Sequence, residues 1–314
     1  MRKNIWIDTD PGIDDAIAIA AAFASTDRLK ICGISTVAGN QTIDIVTDNA
    51  LWLAELLGGE EVSVVRGAEH PLIRRPHPVG RVHGEHGLGY VIPDKPARTL
   101  TSAQGAAFLY QAICDLPGEE KMTLVPIGPL TNIALLLGTY PKIRQKIDQI
   151  VLMGGSAREG NITATAEYNI WADPEAAEMV FQSGVPIVMC GLDVTMKCLL
   201  AMEEILKLKK AGPIQQQFAR MLEFYFDSTA YRGKGSVAMH DSVPFLYLLQ
   251  EEKFSGEHHV MHVSCTEDSC RGMTCVCDGA YTYSQTEEPQ NVYVLKDVDA
   301  AWFTQELMER LMRY

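Results

Sequence analysis

The opening of the chain sets the terms for everything after it. The apolar run Ile5-Trp6-Ile7 leads at once into Asp8-Thr9-Asp10-Pro11-Gly12-Ile13-Asp14-Asp15, four carboxylates in eight positions. The run has the character of a strand buried on both faces, and Pro11-Gly12 makes a turn from which Ile13 begins an apolar helical face. One or two acids at a helix start complement its dipole. Four like charges in so short a span repel one another unless a cation sits among them or some are protonated. Hard cations such as calcium and magnesium select carboxylate oxygens. An oxygen-ligated metal site is therefore expected at the end of the first strand, with Asp8 supporting it rather than ligating.

Apolar β-branched runs alternate with longer amphipathic stretches along the whole chain. Strands are expected at Asn4–Asp8, Lys30–Thr36, Val62–Arg66, Met122–Ile127, Gln149–Met153 and Pro186–Cys190. Helices are expected at Asp14–Ala24, Thr42–Leu57, Ser102–Cys114, Leu130–Leu137, Pro174–Gln182, Ile214–Asp227, Asp241–Leu249 and Ala300–Met312. Asp173-Pro174-Glu175 has the cap, the first-turn proline and the acid of a helix start. The β-α alternation predicts an open, mostly parallel, Rossmann-like α/β sheet with helices on both faces, in a single domain over residues 1–314. Ile73–Pro96, rich in Pro, Gly and His, is expected to be a long loop.

Asp and Glu number 40 against 27 Lys and Arg, a net charge of −13. Such a chain repels polyanions, which argues against a nucleic-acid polymer or an anionic membrane as partner. No apolar stretch is long enough to span a bilayer, and Met1-Arg2-Lys3-Asn4-Ile5 lacks a signal-peptide core, so a cytoplasmic location is expected. Cys32, Cys114, Cys190 and Cys198 lie singly in apolar segments and are expected as buried thiols. Cys265, Cys270, Cys275 and Cys277 match no familiar zinc spacing, and reduced thiols in strands near the surface are favoured over a second metal or a disulfide.

Ligands of open α/β sheets bind at the carboxyl ends of the strands. Four expected strand ends carry unusual chemistry: Asp8–Asp15, Val37-Ala38-Gly39-Asn40, Gly128-Pro129-Leu130-Thr131-Asn132, and Met153-Gly154-Gly155 with the loop beyond it. In a parallel sheet all four meet at one edge. Together with Gly160-Asn161, Ala166-Glu167-Tyr168-Asn169 and His240-Asp241, these motifs resemble, in order, those of the nucleoside hydrolases. The resemblance runs from the first strand to about Asp241 and is weaker beyond. Ile127 and Gly191-Leu192-Asp193-Val194-Thr195 look most like the bacterial ribonucleoside hydrolases of broad base specificity.

The resemblance implies hydrolysis of the N-glycosidic bond of ribonucleosides, purine or pyrimidine, to ribose and free base, with a bound Ca2+. It implies Asp10, Asp15, Asp241 and the backbone carbonyl of Ile127 as metal ligands. It implies ribose contacts from Asp14, Asn40, Asn161, Glu167 and Asn169, with Met153 packing nearby. His83 and His240 match positions linked to the departing base. Relatives are commonly dimers or tetramers, so a homodimer or homotetramer is implied as well.

The chemistry asks for these groups. Breaking a ribosyl–base bond builds positive charge on the sugar and negative charge on the base. Water becomes nucleophilic near neutral pH beside a coordinated cation, and Asp10 is placed to accept its proton. Asp14, Asp15 and Asp241 supply a negative field for the cationic ribose. His240 has the side-chain chemistry of a leaving-group acid. A 5′-phosphate would meet the surplus of acids, so the expected substrate is a nucleoside rather than a nucleotide.

Plainer roles exist for the same residues. Asn40, Asn161 and Asn169 are ordinary turn or cap residues taken singly, and Asp241 is placed to cap the helix after it. His83 and His86 sit in a Gly-rich loop where a solvated histidine is common. Tyr225 and Tyr231, upstream of His240, are either base-stacking or core residues. Two competing functions share the opening motif. A haloacid-dehalogenase-type, Mg-dependent phosphohydrolase also begins with a strand carrying Asp-x-Asp, but Gly12 and the early Asp14-Asp15 depart from its pattern. A catalytically silent, Ca-dependent nucleoside-binding protein is opposed by the intact Asp10 and His240.

Overall fold

A computed structural model describes residues 2–78, 80–228, 230–277 and 291–314. Strand β1 (Lys3–Thr9) feeds helix α1 (Ile13–Phe23), and β2 (Leu29–Thr36) feeds α2 (Ile43–Leu56). After β3 (Val64–Arg66) the chain runs through a long loop, with one short turn of helix α3 (Gly80–His83), into α4 (Gly105–Cys114). Then β4 (Met122–Pro126) leads to α5 (Thr131–Thr139), and β5 (Ile147–Met153) to α6 (Tyr168–Ala172) and α7 (Pro174–Phe181). Strand β6 (Ile187–Cys190) precedes α8 (Leu192–Thr195), β7 (Leu199–Ala201), α9 (Met202–Lys209) and α10 (Pro213–Asp227). The remainder is β8 (Ser236–Ala238), α11 (Ser242–Leu249), β9 (Phe254–His259), β10 (Met261–Val263), β11 (Thr274–Val276), β12 (Val292–Val298) and α12 (Ala300–Leu311).

Eight strands form the central sheet in the order β3-β2-β1-β4-β5-β6-β12-β9. All neighbours are parallel except the edge pair β12 and β9. From β1 the chain first steps outward through β2 to β3, then returns to place β4 on the other side of β1. The order reverses at β1 and β4, and there the helices that leave the two strands part and open a crevice.

Both faces of the sheet are covered, which is why its strands read as unbroken apolar runs. Ile5 and Ile7 pack on one side with α1, α10, α11 and α12, whereas Trp6 points to the other side with α4, α5 and α7. The Trp6 indole N–H donates to the Ser35 hydroxyl at 2.8 Å, so a large side chain is buried without an orphaned donor. Burying Trp6 in place of exposing it contributes on the order of 2–3 kcal/mol.

All six expected strands are present. The main differences lie elsewhere. Helix α4 begins at Gly105, not Ser102, because Thr101 and Ser102 pair alongside β3: the Arg66 amide donates to the Ser102 carbonyl at 2.8 Å. Strands β9 and β12 of the central sheet and the helix α9 were not expected, nor were the small pairs β7–β8 and β10–β11, whose strands of three residues are too short to show a period. Cys190 and Cys198 are buried, but Cys32 and Cys114 are only half-buried, a correction to the buried thiols expected of all four. Cys265, Cys270 and Cys275 lie on or beside the β10–β11 hairpin and are half-buried. Among the described residues no helix is long and apolar enough to cross a membrane.

Candidate active site

The carboxyl ends of β1, β2, β4 and β5 open into one cavity of about 580 Å³. Its lining brings together Asp14, Asn40, His83, Ile127, Met153, Asn161, Glu167, Asn169, His240 and Asp241, residues drawn from the whole length of the chain. Asp10 and Asp15 lie fully buried just beneath.

Asp14, Asp15 and Asp241 each turn a carboxylate oxygen inward, and the three oxygens lie within 4.8 Å of one another. Asp241 stands at the N-cap of α11 yet makes no capping hydrogen bond, because its side chain is spent on the cluster. Asp15 is held by Thr9 Oγ1 at 2.6 Å, the Gly12 amide at 2.9 Å and Asn40 Nδ2 at 3.1 Å. Asp10 adjoins the cluster without joining it. Its Oδ2 accepts the Asn40 amide at 2.7 Å, and its Oδ1 is buried with no protein partner among the described residues. A Cβ on Gly39 or Gly128 would collide with the Asp10 carboxyl, so the backbone closes around it only because both are glycine.

Burial lifts these acids. Asp14 is pushed up to about 7, by burial and then by the charge of Asp15. Burial and Asp15 raise Asp10 well above the usual carboxylate range, and burial with the charges of Asp14, Asp15 and Asp10 does the same to Asp241. Convergent buried oxygens, mutual repulsion and one orphaned acceptor are together what a hard, oxygen-seeking dication relieves. The donor set fits such an ion. Asp8 is not part of the cluster: it accepts hydrogen bonds from Ser35 and from Asn132 Nδ2, and burial raises it to about 7.

Amides and Glu167 line the opposite wall. Asn169 Nδ2 donates to the carbonyls of Ile127 at 3.0 Å and Met153 at 3.1 Å. The Ile127 carbonyl is thus already an acceptor, with a second lone pair available. Glu167 caps α6 through the amides of Asn169 and Ile170 and also accepts the Gly155 amide at 2.9 Å, while burial pushes it up to about 7. Asn161 Oδ1 accepts the Tyr168 amide at 2.9 Å. These side chains do serve as caps and turn residues, and they border the cavity at the same time.

The third wall is aromatic and imidazole. Both ring nitrogens of His240 are engaged, Nδ1 with Thr195 Oγ1 and Nε2 with Tyr231 OH, each at 2.8 Å. Burial lowers His240 to about 4. Tyr231 packs edge-on against Tyr225, whose hydroxyl reaches Asp14 Oδ2 at 3.4 Å. His83 sits over the start of α1, where its Nδ1 accepts the Ile13 amide at 3.1 Å. Tyr225 and Tyr231 both border the cavity, whereas His86 does not line it. The exposed Arg158 and Lys234 border the cavity beside Glu159 and Asp193, so the uniformly acidic surroundings inferred from composition are not what the rim presents. The rim residues Arg158, Glu159 and Lys234 carried no local signal in the sequence, being exposed charges in loops, whereas Thr195 lies in the Gly191–Thr195 motif and its bond to His240 was not foreseen.

A doubly wound sheet with a buried carboxylate cluster and an amide-lined cavity at its switch point defines a metal-dependent α/β enzyme for a small-molecule substrate. The family model of the inosine-uridine preferring nucleoside hydrolases matches residues 5–305, and the chain belongs to that family. It is 41% identical to a protein of Photobacterium profundum named pyrimidine-specific ribonucleoside hydrolase RihA, over all of both chains. A protein of the same name from Escherichia coli O81 is 38% identical, again over the full length of both. Among solved structures, a plant nucleoside hydrolase superposes with a TM-score of 0.93 at 28% identity over 100% of both chains. A purine-preferring ribonucleoside hydrolase from Gardnerella vaginalis gives 0.90 at 30% identity over 99% of this chain and 98% of that one. The chain is accordingly a hydrolase of N-glycosidic bonds, and neither the phosphohydrolase nor the silent binding protein is favoured.

Proposed function

We propose that the chain hydrolyses pyrimidine ribonucleosides, uridine and cytidine above inosine, with Ca2+ as its resident ion. The observation that carries the chemistry is the convergence of the Asp14, Asp15 and Asp241 oxygens beside the unpartnered Asp10 Oδ1. The relatives named pyrimidine-specific, at 38% and 41% identity, support the base preference over the broad specificity the sequence motifs suggest. Asp10, Asp15, Asp241 and the Ile127 carbonyl would hold the ion. When bound, it makes a water molecule nucleophilic near neutral pH and offsets the charge of the carboxylates.

Each side chain then has a task. Asp10, through Oδ1, accepts the proton of the attacking water. Asp14, with the rest of the cluster, surrounds the ribose with negative field as positive charge develops on it. Asn40, Asn161, Glu167 and Asn169 orient the sugar hydroxyls, each hydroxyl able to donate to a carboxylate and accept from an amide. Met153 packs beside the sugar. At the far wall His240 acts through Tyr231, the hydroxyl bonded to its Nε2, with Thr195 holding the other nitrogen.

A site built for both ribose hydroxyls rejects a sugar lacking one, since buried polar groups lose their partner. Reducing-sugar release from uridine, cytidine, inosine, 2′-deoxyuridine and uridine 5′-phosphate tests the proposal. Uridine is expected to lead, with 2′-deoxyuridine down by roughly 10⁴-fold in kcat/KM. Equal turnover of uridine and 2′-deoxyuridine removes the diol from the argument, and inosine above uridine removes the base preference.

A further inference from the structure

We propose that Thr274, on the β10–β11 hairpin outside the central sheet, is a positioning residue: its hydroxyl locks the backbone of Ser156 and so fixes the loop after β5 that borders the cavity. The inference rests on the proposed hydrolysis of pyrimidine ribonucleosides and adds to it a residue that does not itself line the cavity.

Buried backbone polar groups in a loop need partners from elsewhere. Three successive amides beyond β5 each find a side-chain oxygen, and each oxygen comes from a different segment. Gly155 donates to Glu167 Oε2 at 2.9 Å, Ser156 to Thr274 Oγ1 at 2.9 Å, and Ala157 to Asp193 Oδ2 at 2.8 Å. The Gly155 carbonyl accepts the Leu192 amide at 2.9 Å. Thr274 does two jobs, because its hydroxyl hydrogen goes to the Ser156 carbonyl at 2.5 Å. One hydroxyl thus satisfies both backbone polar groups of Ser156 across 118 residues of chain, and both side chains are buried.

The hairpin grips the loop at both ends. Gly155 has φ +78°, and a Cβ there would lie 3.0 Å from Thr274 Cγ2, so the methyl is fitted as closely as the hydroxyl. One residue earlier, Met273 pairs with Ala166 in an antiparallel bridge just before Glu167. A Cβ on Gly272 would come 2.7 Å from Trp171 Cα. Between these ends Arg158, Glu159 and Asn161 border the cavity. The grip has a firm base, since the hairpin is fastened to α7. Buried Arg271 reaches both Glu175 oxygens at 2.8 Å, and Glu178 Oε2 accepts the Val263 amide at 2.7 Å.

Catalysis by positioning depends on where that wall stands. A misplacement of about 1 Å, caused by a change away from the chemistry, can cost roughly 10²-fold. Loss of the Thr274 hydroxyl leaves two buried groups of Ser156 unpaired, and they are satisfied again only if the loop moves toward water. Gly155, and with it the bond to Glu167, moves too.

The test varies the hydroxyl and the methyl separately. Thr274→Val keeps the shape and removes the hydroxyl; Thr274→Ser keeps the hydroxyl. With calcium bound and well below the melting temperature, Thr274→Val is expected to lose about 10²-fold in kcat/KM on uridine. Thr274→Ser should recover most of that loss. Calcium affinity, read by calorimetric titration, should match the parent in both, because none of the proposed ion ligands lies on this loop. Cys275→Ser, on the opposite face of β11, should leave kcat/KM unchanged. Hydrogen exchange gives a readout independent of turnover: the Ser156 amide should exchange at least about 10-fold faster in Thr274→Val than in the parent or Thr274→Ser. If the valine protein does not fold, Thr274→Ala, with room for a water in place of the hydroxyl, carries the same comparison with serine. Full activity without the hydroxyl, no rescue by serine, or calcium affinity falling in step with activity overturns the inference. Failure of the parent to release ribose from uridine would instead sink the proposed function, and exchange at Ser156 would still decide whether Thr274 holds the loop.

Discussion

Asp241 occupies a place where an acid normally caps a helix and declines that role, facing Asp14 and Asp15 instead. Its worth therefore lies in the ion it would hold. Asp241→Asn is expected to weaken calcium binding by at least about 10²-fold, as loss of even an outer-shell partner can do. The metal-stripped variant should be no less stable than the stripped parent, since one like charge has gone. Calorimetric titration with calcium and urea unfolding of the two stripped proteins read these outcomes. At the start of α1, the packing of Gly12 against His83 and Asn40 makes Gly12→Ala a second test. Both side chains must give way, so kcat on uridine should fall at least about 10-fold while calcium binding changes less. The presence of acids, amides and imidazoles at these positions was legible from the motifs. What each ring nitrogen and oxygen is bonded to was not, because Thr195 and His240 meet across 45 residues and Asn169 and Ile127 across 42.

Elements turn these side chains into a site. Strand and helix were readable here, since buried parallel strands and amphipathic helices have distinct periods. Short pieces such as α6 and α8 were not, yet α6 sets the amide-lined wall of the cavity. Glu167 begins it, capping Asn169 and Ile170 and tying Gly155 of the neighbouring strand end. Burial raises its folded pKa from 4.5 to about 7, so the ionised form is disfavoured by folding. Its stabilising share is then full below about pH 4.5 and is lost as pH rises through about 7. Glu167→Gln removes that titration. Between those pH values the parent should lose up to ~3 kcal/mol more stability than the variant, read from urea midpoints. Parallel curves for the two proteins would refute the assignment.

At the scale of the molecule, the sheet order places the cluster at the switch point between β1 and β4, under helices packed on both faces. Stripping the ion leaves buried like charges uncompensated at the centre of the fold. Chelation should lower the melting temperature, and calcium at 1,000 times its dissociation constant should restore about 4 kcal/mol. Magnesium, which keeps its waters and demands a stricter octahedron, should restore less. Equal melting curves with and without chelator, in protein shown to be metal-free after treatment, would count against a structural hold on the ion.

The sequence by itself determined the alternation of strand and helix, the carboxylates at the first strand end and the edge of the sheet where chemistry gathers. These follow from local periodicity, turn residues and charge, all short-range properties. Tertiary structure alone decided that Asp14 joins Asp15 and Asp241 while Asp10 stands beside them, that the Tyr231 hydroxyl takes Nε2 of His240, and that the Ile13 amide fixes the His83 ring. Those pairings depend on ångström-scale distances between segments far apart in the chain, and no local pattern of residues encodes a distance of that kind.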